Sequence, residues 1–284
     1  MTAPVVVIGA GGRLGSVVCR ALIAAGFSTR AVVRSRDRAQ AVPAEAALAV
    51  APDPPSQATA CVDAGSVVCC APAEAATALL AALPQPAPHC VVLGSTRRYS
   101  RFPDARADAV RALEAAFSAS GVAGVLLHPT MIYGTDGENN VRRIAALARL
   151  GIIPLPGGGR SLIQPVHAED VAAAVVAAVA RRAVAAEPVV LAGPEPVPFA
   201  AFVRAAAGAA GRRVRVVSVP LGLARMLAAL SRLAGLPRVT RAEILRLTED
   251  KAFDITPARR LLGFAPMSLA AGLALTFPRR DIPD

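Results

Sequence analysis

The fold is decided by residues 5–15, which read VVVIGAGGRLG. The first four residues, all apolar, have the length of a buried strand, and an alanine- and leucine-rich segment of helix length runs from the glycines to Gly26. A glycine turn between a strand and a helix lets the backbone approach a pyrophosphate, whose charge is met by the free N–H groups and positive dipole end of the helix. The stretch therefore predicts a dinucleotide site at Gly9, Gly11, Gly12, Arg13, Leu14 and Gly15.

Apolar runs of strand length alternate with helix-length segments along the first half of the chain. They are Thr29–Val33, Ser66–Cys70, Cys90–Leu93 and Val125–Leu127. Strands that are apolar throughout and alternate with helices indicate a parallel sheet covered on both faces. The sequence thus predicts an α/β fold with a doubly wound parallel sheet of the Rossmann type.

The regular alternation loosens after about Gly134. We predict a dinucleotide-binding core over residues 1–134 and a smaller substrate-side region over 135–284, mixed α/β and interleaved with the core. Within it, a helix is expected at Val171–Arg182 and a short strand near Pro188–Leu191. The segment Leu221–Leu236 places apolar residues at helical spacing, with arginines interspersed. It is either a core-facing helix or an apolar contact surface for a lipid-like substrate, a membrane face or a partner subunit.

The composition restricts the class of protein. With 54% hydrophobic and 18% charged residues over 284 positions, the chain is a compact globular protein rather than a disordered one. Its longest charge-free stretches are interrupted by Pro, Gly or His, so no membrane-spanning helix is expected. The first residues lack the basic region of a signal peptide.

The net charge and the cysteine content indicate which kinds of partner and which cellular compartment to expect. The net charge is +11, but we interpret the cations as dispersed along the sequence, and aromatic residues make up only 4%, which argues against nucleic-acid binding. The five cysteines show no Cys-x-x-Cys spacing, which is typical of a reduced, cytoplasmic protein. The three histidines have no second ligand at metal-binding spacing, so no metal is predicted.

The end of the second strand selects between nicotinamide cofactors. An acidic residue there would accept hydrogen bonds from the ribose hydroxyls of NAD, whereas arginines would bind the 2′-phosphate of NADP. This chain has Arg34, Ser35 and Arg36 at that position. NADP is predicted, with NAD or a merely solvated basic turn as the alternatives.

Three further segments resemble a known family. They read VVLGST at 91–96, HPTMIYG at 128–134 and QPVHAEDVA at 164–172. Together with the glycine loop they resemble the NAD-dependent epimerase/dehydratase family, the extended branch of the short-chain dehydrogenases/reductases. The resemblance implies a nicotinamide cofactor, a small-molecule substrate held by the C-terminal region, and the option of a homodimer. We add Ala71 and Pro129 to the predicted cofactor-binding residues.

The family's Tyr-x-x-x-Lys pair, which relays a proton, is absent from this sequence. Tyr99 is followed four residues later by Pro103 and Tyr133 by Gly137, and the only lysine of the chain is Lys251. Standard proton-relay chemistry is therefore in doubt, whereas hydride addition to a polarised alkene or imine would tolerate the loss.

Three residues are candidates for the missing chemistry. Thr96 stands near the family's catalytic Ser/Thr position, and Tyr99 is a candidate acid activated by Arg97 or Arg98. His128 is a candidate for polarising a substrate carbonyl. The alternatives are a hydroxyl bonded to loop backbone, a partly exposed ring and a hydrogen-bonded loop histidine.

Three functions remain open from the sequence. The first is an atypical NADP(H)-dependent oxidoreductase acting on a small or lipid-like organic substrate. The second is a non-catalytic nicotinamide-binding sensor or assembly subunit. The third is a sugar-nucleotide epimerase or dehydratase, which is weakened because the stretch before His167 lacks the arginine that such enzymes of the family commonly carry for the diphosphate.

Overall fold

The computed structural model of the chain describes residues 3–135, 140–220, 222 and 245–278. Apart from Gly222, the predicted segment Leu221–Leu236 lies outside the described residues. The described strands are β1 Val5–Ile8, β2 Thr29–Val33, β3 Ala47–Val50, β4 Ser66–Cys69, β5 His89–Leu93, β6 Gly124–Pro129, β7 Ile132–Tyr133, β8 Ile152–Pro156, β9 Leu162–Ile163, β10 Val166–His167, β11 Val189–Leu191, β12 Val197–Pro198 and β13 Arg215–Val219.

Helices connect most of these strands. The α-helices are α1 Arg13–Ala24, α2 Pro54–Thr59, α3 Ala73–Ala82, α4 Ala105–Ala119, α5 Asn140–Leu147, α6 Ala168–Ala180, α7 Phe199–Ala209, α8 Thr256–Leu262 and α9 Leu269–Thr276. Short 3₁₀ helices occupy Arg36–Ala41, Thr96–Tyr99, Ala148–Leu150 and Gly157–Gly159.

A seven-stranded parallel sheet forms the centre of the protein, with its strands in the order β3-β2-β1-β4-β5-β6-β11. Helices α1 and α6 pack together on one face, and α3 and α4 pack together on the other. Strands β1, β4, β5 and β6 are buried at every position because helices cover both of their faces. The predicted doubly wound α/β fold is confirmed.

Most predicted elements are found with small shifts of their ends. Strand β5 starts one residue earlier than predicted, and β6 extends by one residue at its start and two at its end. Helix α6 starts at Ala168 rather than Val171, because the His167 side chain accepts a hydrogen bond from the Glu169 N–H and caps the first turn. Strand β3 was not predicted, since as an edge strand it leaves most of its side chains exposed.

The smaller region is built from three two-stranded ribbons, β7–β10, β9–β12 and β8–β13. Strand β11 and helix α6 nevertheless belong to the large sheet and its helical layer. The chain thus returns to the core after leaving it, while the division at residue 134 remains a prediction. Within the described residues, no helix is long and apolar enough to cross a bilayer.

All five cysteines are free, and four of them are buried. Burial raises the pKa of the Cys19, Cys61 and Cys90 thiols to about 12. These thiols are therefore protonated at neutral pH and act as small apolar side chains in the core.

Candidate functional site

The glycine turn between β1 and α1 is a tight loop that leaves no room for a side chain at Gly15. Gly9 adopts a φ of +79°, and the Gly12 N–H donates to the Gly9 carbonyl at 2.9 Å. A Cβ on Gly15 would overlap that same carbonyl oxygen and the Cα of Ala10. These glycines are therefore required for the close approach of α1 to the end of β1.

The turn lies at the point where the strand order of the sheet reverses. Strand β1 pairs with β2 on one side and with β4 on the other, so the sheet is extended on one side by β2 and β3 and on the other side from β4 onwards. A Cβ on Gly9 would lie 3.1 Å from the backbone nitrogen of Ala71, which follows β4. Open α/β sheets bind ligands in the crevice at such a switch point, outside the carboxyl ends of the strands.

The N-terminus of α1 is available to an anion. Gly12 is the N-cap and provides no side-chain hydrogen bond, and the first turn has no acidic residue. The first N–H groups of a helix have no partner within the helix, and they carry the positive end of its dipole. Arg13, the first residue of α1, is exposed and adds positive charge, whereas Leu14 is half-buried against the core.

Arg34, Ser35 and Arg36 follow β2 and are exposed. Neither of the two arginines forms an ion pair within the part of the chain that the structure describes. Asp37 is the only acidic residue of this turn; its hydrogen bond with the Ser35 side chain, together with Arg38 3.9 Å away, holds the pKa of its carboxyl below the usual range. The two unpaired guanidinium groups leave the end of β2 with a positive charge that can meet an anion.

The basic turn after β2 contacts the glycine turn at Gly11. A Cβ on Gly11 would overlap the carbonyl oxygen and the Cβ of Arg38, in the 3₁₀ helix that begins at Arg36. The basic turn and the glycine turn therefore touch through their backbones. The structure brings together the residues that the sequence predicted as two separate parts of one cofactor site.

Thr96 links the ends of two central strands. Its hydroxyl donates to the carbonyl of Pro129, the last residue of β6, at 3.3 Å. Ser95 accepts a hydrogen bond from the Arg97 N–H at 3.2 Å and caps the short helix that carries Thr96 and Tyr99. The Thr96 oxygen retains its lone pairs for a further hydrogen bond.

The Tyr99 ring lies at this edge of the sheet and is 44% exposed. The guanidinium carbon of Arg98 is 4.9 Å from the ring centroid, and the Phe253 ring packs on it at 5.6 Å. The phenol is thus positioned by its neighbours and still open to a ligand, which is the arrangement that a proton donor needs.

His128, by contrast, is completely buried. Its Nε2 lies 2.6 Å from an Oε atom of Glu114, and a Cβ on Gly94 would overlap the imidazole. Burial lowers the pKa of His128 more than the neighbouring carboxylate raises it, so the ring is neutral at pH 7 and donates from Nε2 to Glu114. His128 cannot touch a substrate in this position, and we place it in the framework of the site.

Glu114 is a framework residue that the sequence analysis missed. Its second carboxylate oxygen binds Nη2 of Arg98 at 2.9 Å, so one carboxylate holds both the histidine and the arginine beside Tyr99. Its position in the sequence could have identified it, because Glu114 lies four residues after the buried Val110 and therefore on the inward face of α4.

The Glu114→Ala substitution should destabilise the protein by about 3 kcal/mol, because it leaves a buried imidazole N–H and a half-buried guanidinium without their shared acceptor. The measurement is urea unfolding followed by circular dichroism. The exposed Glu45→Ala is the control and should change the free energy of unfolding by less than about 0.5 kcal/mol. Equal effects of the two substitutions would contradict the proposed role of Glu114.

The C-terminal segment clamps the loop that carries Tyr99. Glu249, which is 5% exposed, accepts hydrogen bonds from the Ser100 hydroxyl at 3.0 Å and from the Arg101 N–H at 2.7 Å. Arg246 binds Asp104 at the start of α4. The ammonium group of Lys251 donates to the Arg246 carbonyl at 2.6 Å, so the only lysine of the chain is part of this clamp.

The other tyrosine belongs to the core. Tyr133 is 1% exposed, and burial raises its pKa to about 12. Its ring packs edge-on against the His167 ring at 5.2 Å. Asp170, in the first turn of α6, accepts a hydrogen bond from the Met267 N–H at 3.2 Å. These residues join α6, β7 and the segment before α9, and their contacts are structural.

Comparison with known proteins agrees with this architecture. Residues 1–53 match the NmrA-like family. No curated protein sequence matches the chain. A UDP-N-acetylglucosamine 4-epimerase from Bacillus cereus has a similar structure, with 14% identity, a TM-score of 0.73 and coverage of 97% of this chain and 98% of that one.

Two further solved structures are similar over nearly their whole length. A nucleoside-diphosphate-sugar epimerase from Pseudomonas aeruginosa is 20% identical, with a TM-score of 0.75 and coverage of 97% of this chain and 96% of that one. An NADPH-dependent quinone oxidoreductase from Escherichia coli, in complex with NADPH, is 19% identical, with a TM-score of 0.75 and coverage of 95% of this chain and 98% of that one. The similarity to the NmrA-like family is thus limited to residues 1–53, and these solved structures share the fold of the whole chain.

Proposed function

We propose that the protein is an NADP(H)-dependent oxidoreductase of atypical type. The observation that carries the proposal is the contact between two anion-binding elements at the switch point of the sheet. One is the uncapped N-terminus of α1 behind the glycine turn, and the other is the basic turn with Arg34 and Arg36. A dinucleotide with a 2′-phosphate has its anionic groups in both of these positions.

The residues present fit such a cofactor. The glycines let the turn pack closely between β1 and α1, and the first N–H groups of α1, which no side chain caps, would bind a pyrophosphate with Arg13 beside it. Arg34, Ser35 and Arg36 would hold the 2′-phosphate, and Ala71 and Pro129 would line the path towards the nicotinamide. When bound, NADP(H) supplies the hydride that the side chains of a protein cannot supply.

Tyr99 and Thr96 are the groups that would act on the substrate. The Tyr99 phenol is exposed beside the Arg98 guanidinium, and it would donate a hydrogen bond or a proton to the substrate atom that gains negative charge. The Thr96 hydroxyl, anchored on the Pro129 carbonyl, would orient the same atom. The substrate class that suits this site is a small or lipid-like acceptor whose reduction needs no strong acid, such as a polarised alkene, an imine or a quinone. The NADPH-dependent quinone oxidoreductase of the same fold supports this choice.

Cofactor binding is tested by titrating the purified protein with NADPH and with NADH, using nicotinamide fluorescence and thermal unfolding. Binding to the native state raises the apparent stability by about 2.7 kcal/mol at a ligand concentration of 100 times Kd. A selective rise with NADPH would support the proposal, and oxidation of NADPH by a panel of quinones, enones and imines would then identify the acceptor. No binding of either nucleotide would refute it.

The Tyr99→Phe substitution should lower kcat for the identified acceptor by about 100-fold, because it removes the acid but keeps the ring contacts. NADPH affinity should not change. The measurement is steady-state NADPH oxidation. The matched control is Tyr133→Phe, which removes the hydroxyl group of a buried tyrosine. This variant should retain turnover. An unchanged rate for Tyr99→Phe would return Tyr99 to a structural role.

A second candidate function is a non-catalytic NADP(H) sensor or assembly subunit. It is favoured by the sequence of α4, which carries Arg106 and Arg111 but no lysine, and by the position of Lys251 in the C-terminal clamp. Selective NADPH binding without turnover of any acceptor would support it. Sugar-nucleotide epimerisation is a third candidate, which UDP-sugar binding would distinguish; epimerases share the fold, but the chain lacks the Tyr-x-x-x-Lys base.

A further inference from the structure

The positive charge of the protein is concentrated in two stretches of the sequence. Residues 139–168 and 196–242 hold 12 of the 31 Lys and Arg residues and none of the 20 Asp and Glu residues. The rest of the chain therefore has 19 cationic and 20 acidic residues, and the net charge of +11 comes from these two stretches. This corrects the expectation that the cations are dispersed.

The fold brings the described parts of both stretches into one lobe. Strand β8 of the first stretch pairs in parallel with β13 of the second, with Ile152 opposite Arg215 and Pro154 opposite Val217. Helix α7 packs on the inner face of this ribbon, where Ile153 and Leu155 share one buried apolar cluster with Val203. The outer face of the β8–β13 ribbon is left without a covering element among the described residues.

This outer face is apolar as well as cationic. Ile152 is 53% exposed and Val217 39%, and Leu150, just before β8, is 74% exposed. Arg149 and Arg215 are exposed beside them. A groove of about 580 Å³ at the start of the two strands is lined by Gly151 and Val214 together with three arginines, Arg204, Arg213 and Arg215. We call the outer face of the β8–β13 ribbon, with Arg149, Leu150 and Arg215, the cationic face.

Three classes of partner could meet such a face, and the residues favour one of them. A second copy through the same face is opposed by charge, since the described residues of the lobe contain no carboxylate to pair with the arginines. A nucleic acid would be held by the arginines, but it would leave Leu150 and Ile152 without a role, and the face has no aromatic ring for stacking. Aliphatic side chains that project between arginines fit the boundary between the headgroups and acyl chains of an anionic bilayer.

We propose that the cationic face docks the protein reversibly on an anionic lipid surface. The arginines contact the headgroup phosphates, and Leu150 and Ile152 enter the outer acyl region. The proposal is independent of the cofactor and of catalysis, because its residues lie on the β8–β13 ribbon and the short helix before it rather than at the carboxyl edge of the large sheet.

The test is co-sedimentation of the full chain with vesicles made of equal parts phosphatidylglycerol and phosphatidylcholine, compared with phosphatidylcholine alone. We expect binding to the anionic vesicles only, weakened by salt. The double variant Arg149→Gln/Arg215→Gln should bind about 30-fold more weakly, at about five-fold for each arginine. The control Arg106→Gln/Arg260→Gln removes two exposed arginines elsewhere and should bind like the wild type.

The apolar contribution is tested with a second pair of variants. Leu150→Ser should weaken vesicle binding by about tenfold, whereas Leu48→Ser, at a half-exposed leucine of β3, should have no effect. All of these positions are exposed, and thermal unfolding confirms that each variant is folded.

Five results would overturn the proposal. The first is failure of the wild type to sediment with anionic vesicles, and the second is equal binding to neutral ones. The third is equal loss in the Arg106/Arg260 or Leu48 controls. The fourth is tight binding of a DNA or RNA duplex that depends on Arg149 and Arg215 but not on Leu150, which would identify the cationic face as a nucleic-acid surface. A concentration-dependent dimer that Leu150→Ser dissociates, without vesicle binding, would likewise assign the face to a second copy.

Discussion

Replacing Gly15 by alanine should abolish NADPH binding, with a loss of affinity of more than about 100-fold. The added Cβ would overlap the carbonyl oxygen of Gly9 and the Cα of Ala10. Both contacts are backbone, so neither atom can move aside as a flexible side chain would. Helix α1 would have to shift away from β1, and its N–H groups would leave the position in which we propose that they bind the pyrophosphate. The same overlap should lower the free energy of unfolding by about 1–3 kcal/mol.

The measurements for this variant are fluorescence titration with NADPH and urea unfolding of the protein without cofactor. Gly208→Ala is the matched control, because a Cβ at this position of α7 would meet nothing within 4 Å. It should bind NADPH normally and be unchanged or slightly more stable, by up to about 1 kcal/mol, since alanine favours helix. Normal NADPH binding by Gly15→Ala would mean that the cofactor site is not at the glycine turn.

Replacing Arg34 by aspartate should weaken NADPH binding by about 100-fold and leave NADH binding within about threefold of the wild type. The guanidinium group has no ion-pair partner among the described residues, so its loss costs the folded protein little. A charge-assisted hydrogen bond to the 2′-phosphate contributes about 1.5–3 kcal/mol, and a carboxylate in its place would repel the phosphate. The same carboxylate can accept hydrogen bonds from the ribose hydroxyls of NADH.

Parallel titrations with NADPH and NADH at constant ionic strength measure this switch. Arg106→Asp provides the control for a general electrostatic effect, since Arg106 is an exposed arginine at the start of α4. Its affinity for both nucleotides should stay within about twofold of the wild type. An equal loss of NADPH and NADH affinity in Arg34→Asp would contradict recognition of the 2′-phosphate at this turn.

The sequence determined the fold because the information for it is local. An apolar run such as Val5–Ile8, followed by glycines and a helical segment, can only be a buried strand leading into a helix. Strand β2 was predicted with the bounds that the structure gives it, since all of its length is apolar or amphipathic and the basic turn ends it. The positions of Gly9 and Arg34 follow from the same pattern, because residues just after parallel strands lie at one edge of the sheet.

Short or exposed strands were not predictable in the same way. Strands β3 and β8 read ALAV and IIPLP, and alanine in the first and proline in the second weaken the strand signal. The pairing of β8 also depends on a distant partner, since β13 follows more than sixty residues later. Periodicity within a window of the sequence contains no information about such contacts.

The chemistry of individual side chains was decided only by the tertiary structure. The sequence offers Tyr99 as a candidate acid and His128 as a candidate for polarising a carbonyl, but α4 brings Glu114 against the histidine, which is buried, while the phenol remains exposed. In the same way, the cationic face exists because two acid-free stretches pair as a ribbon. Exposure and charge density depend on which distant segments meet, so the sequence determined which groups are present and the packing decided which of them can reach a ligand.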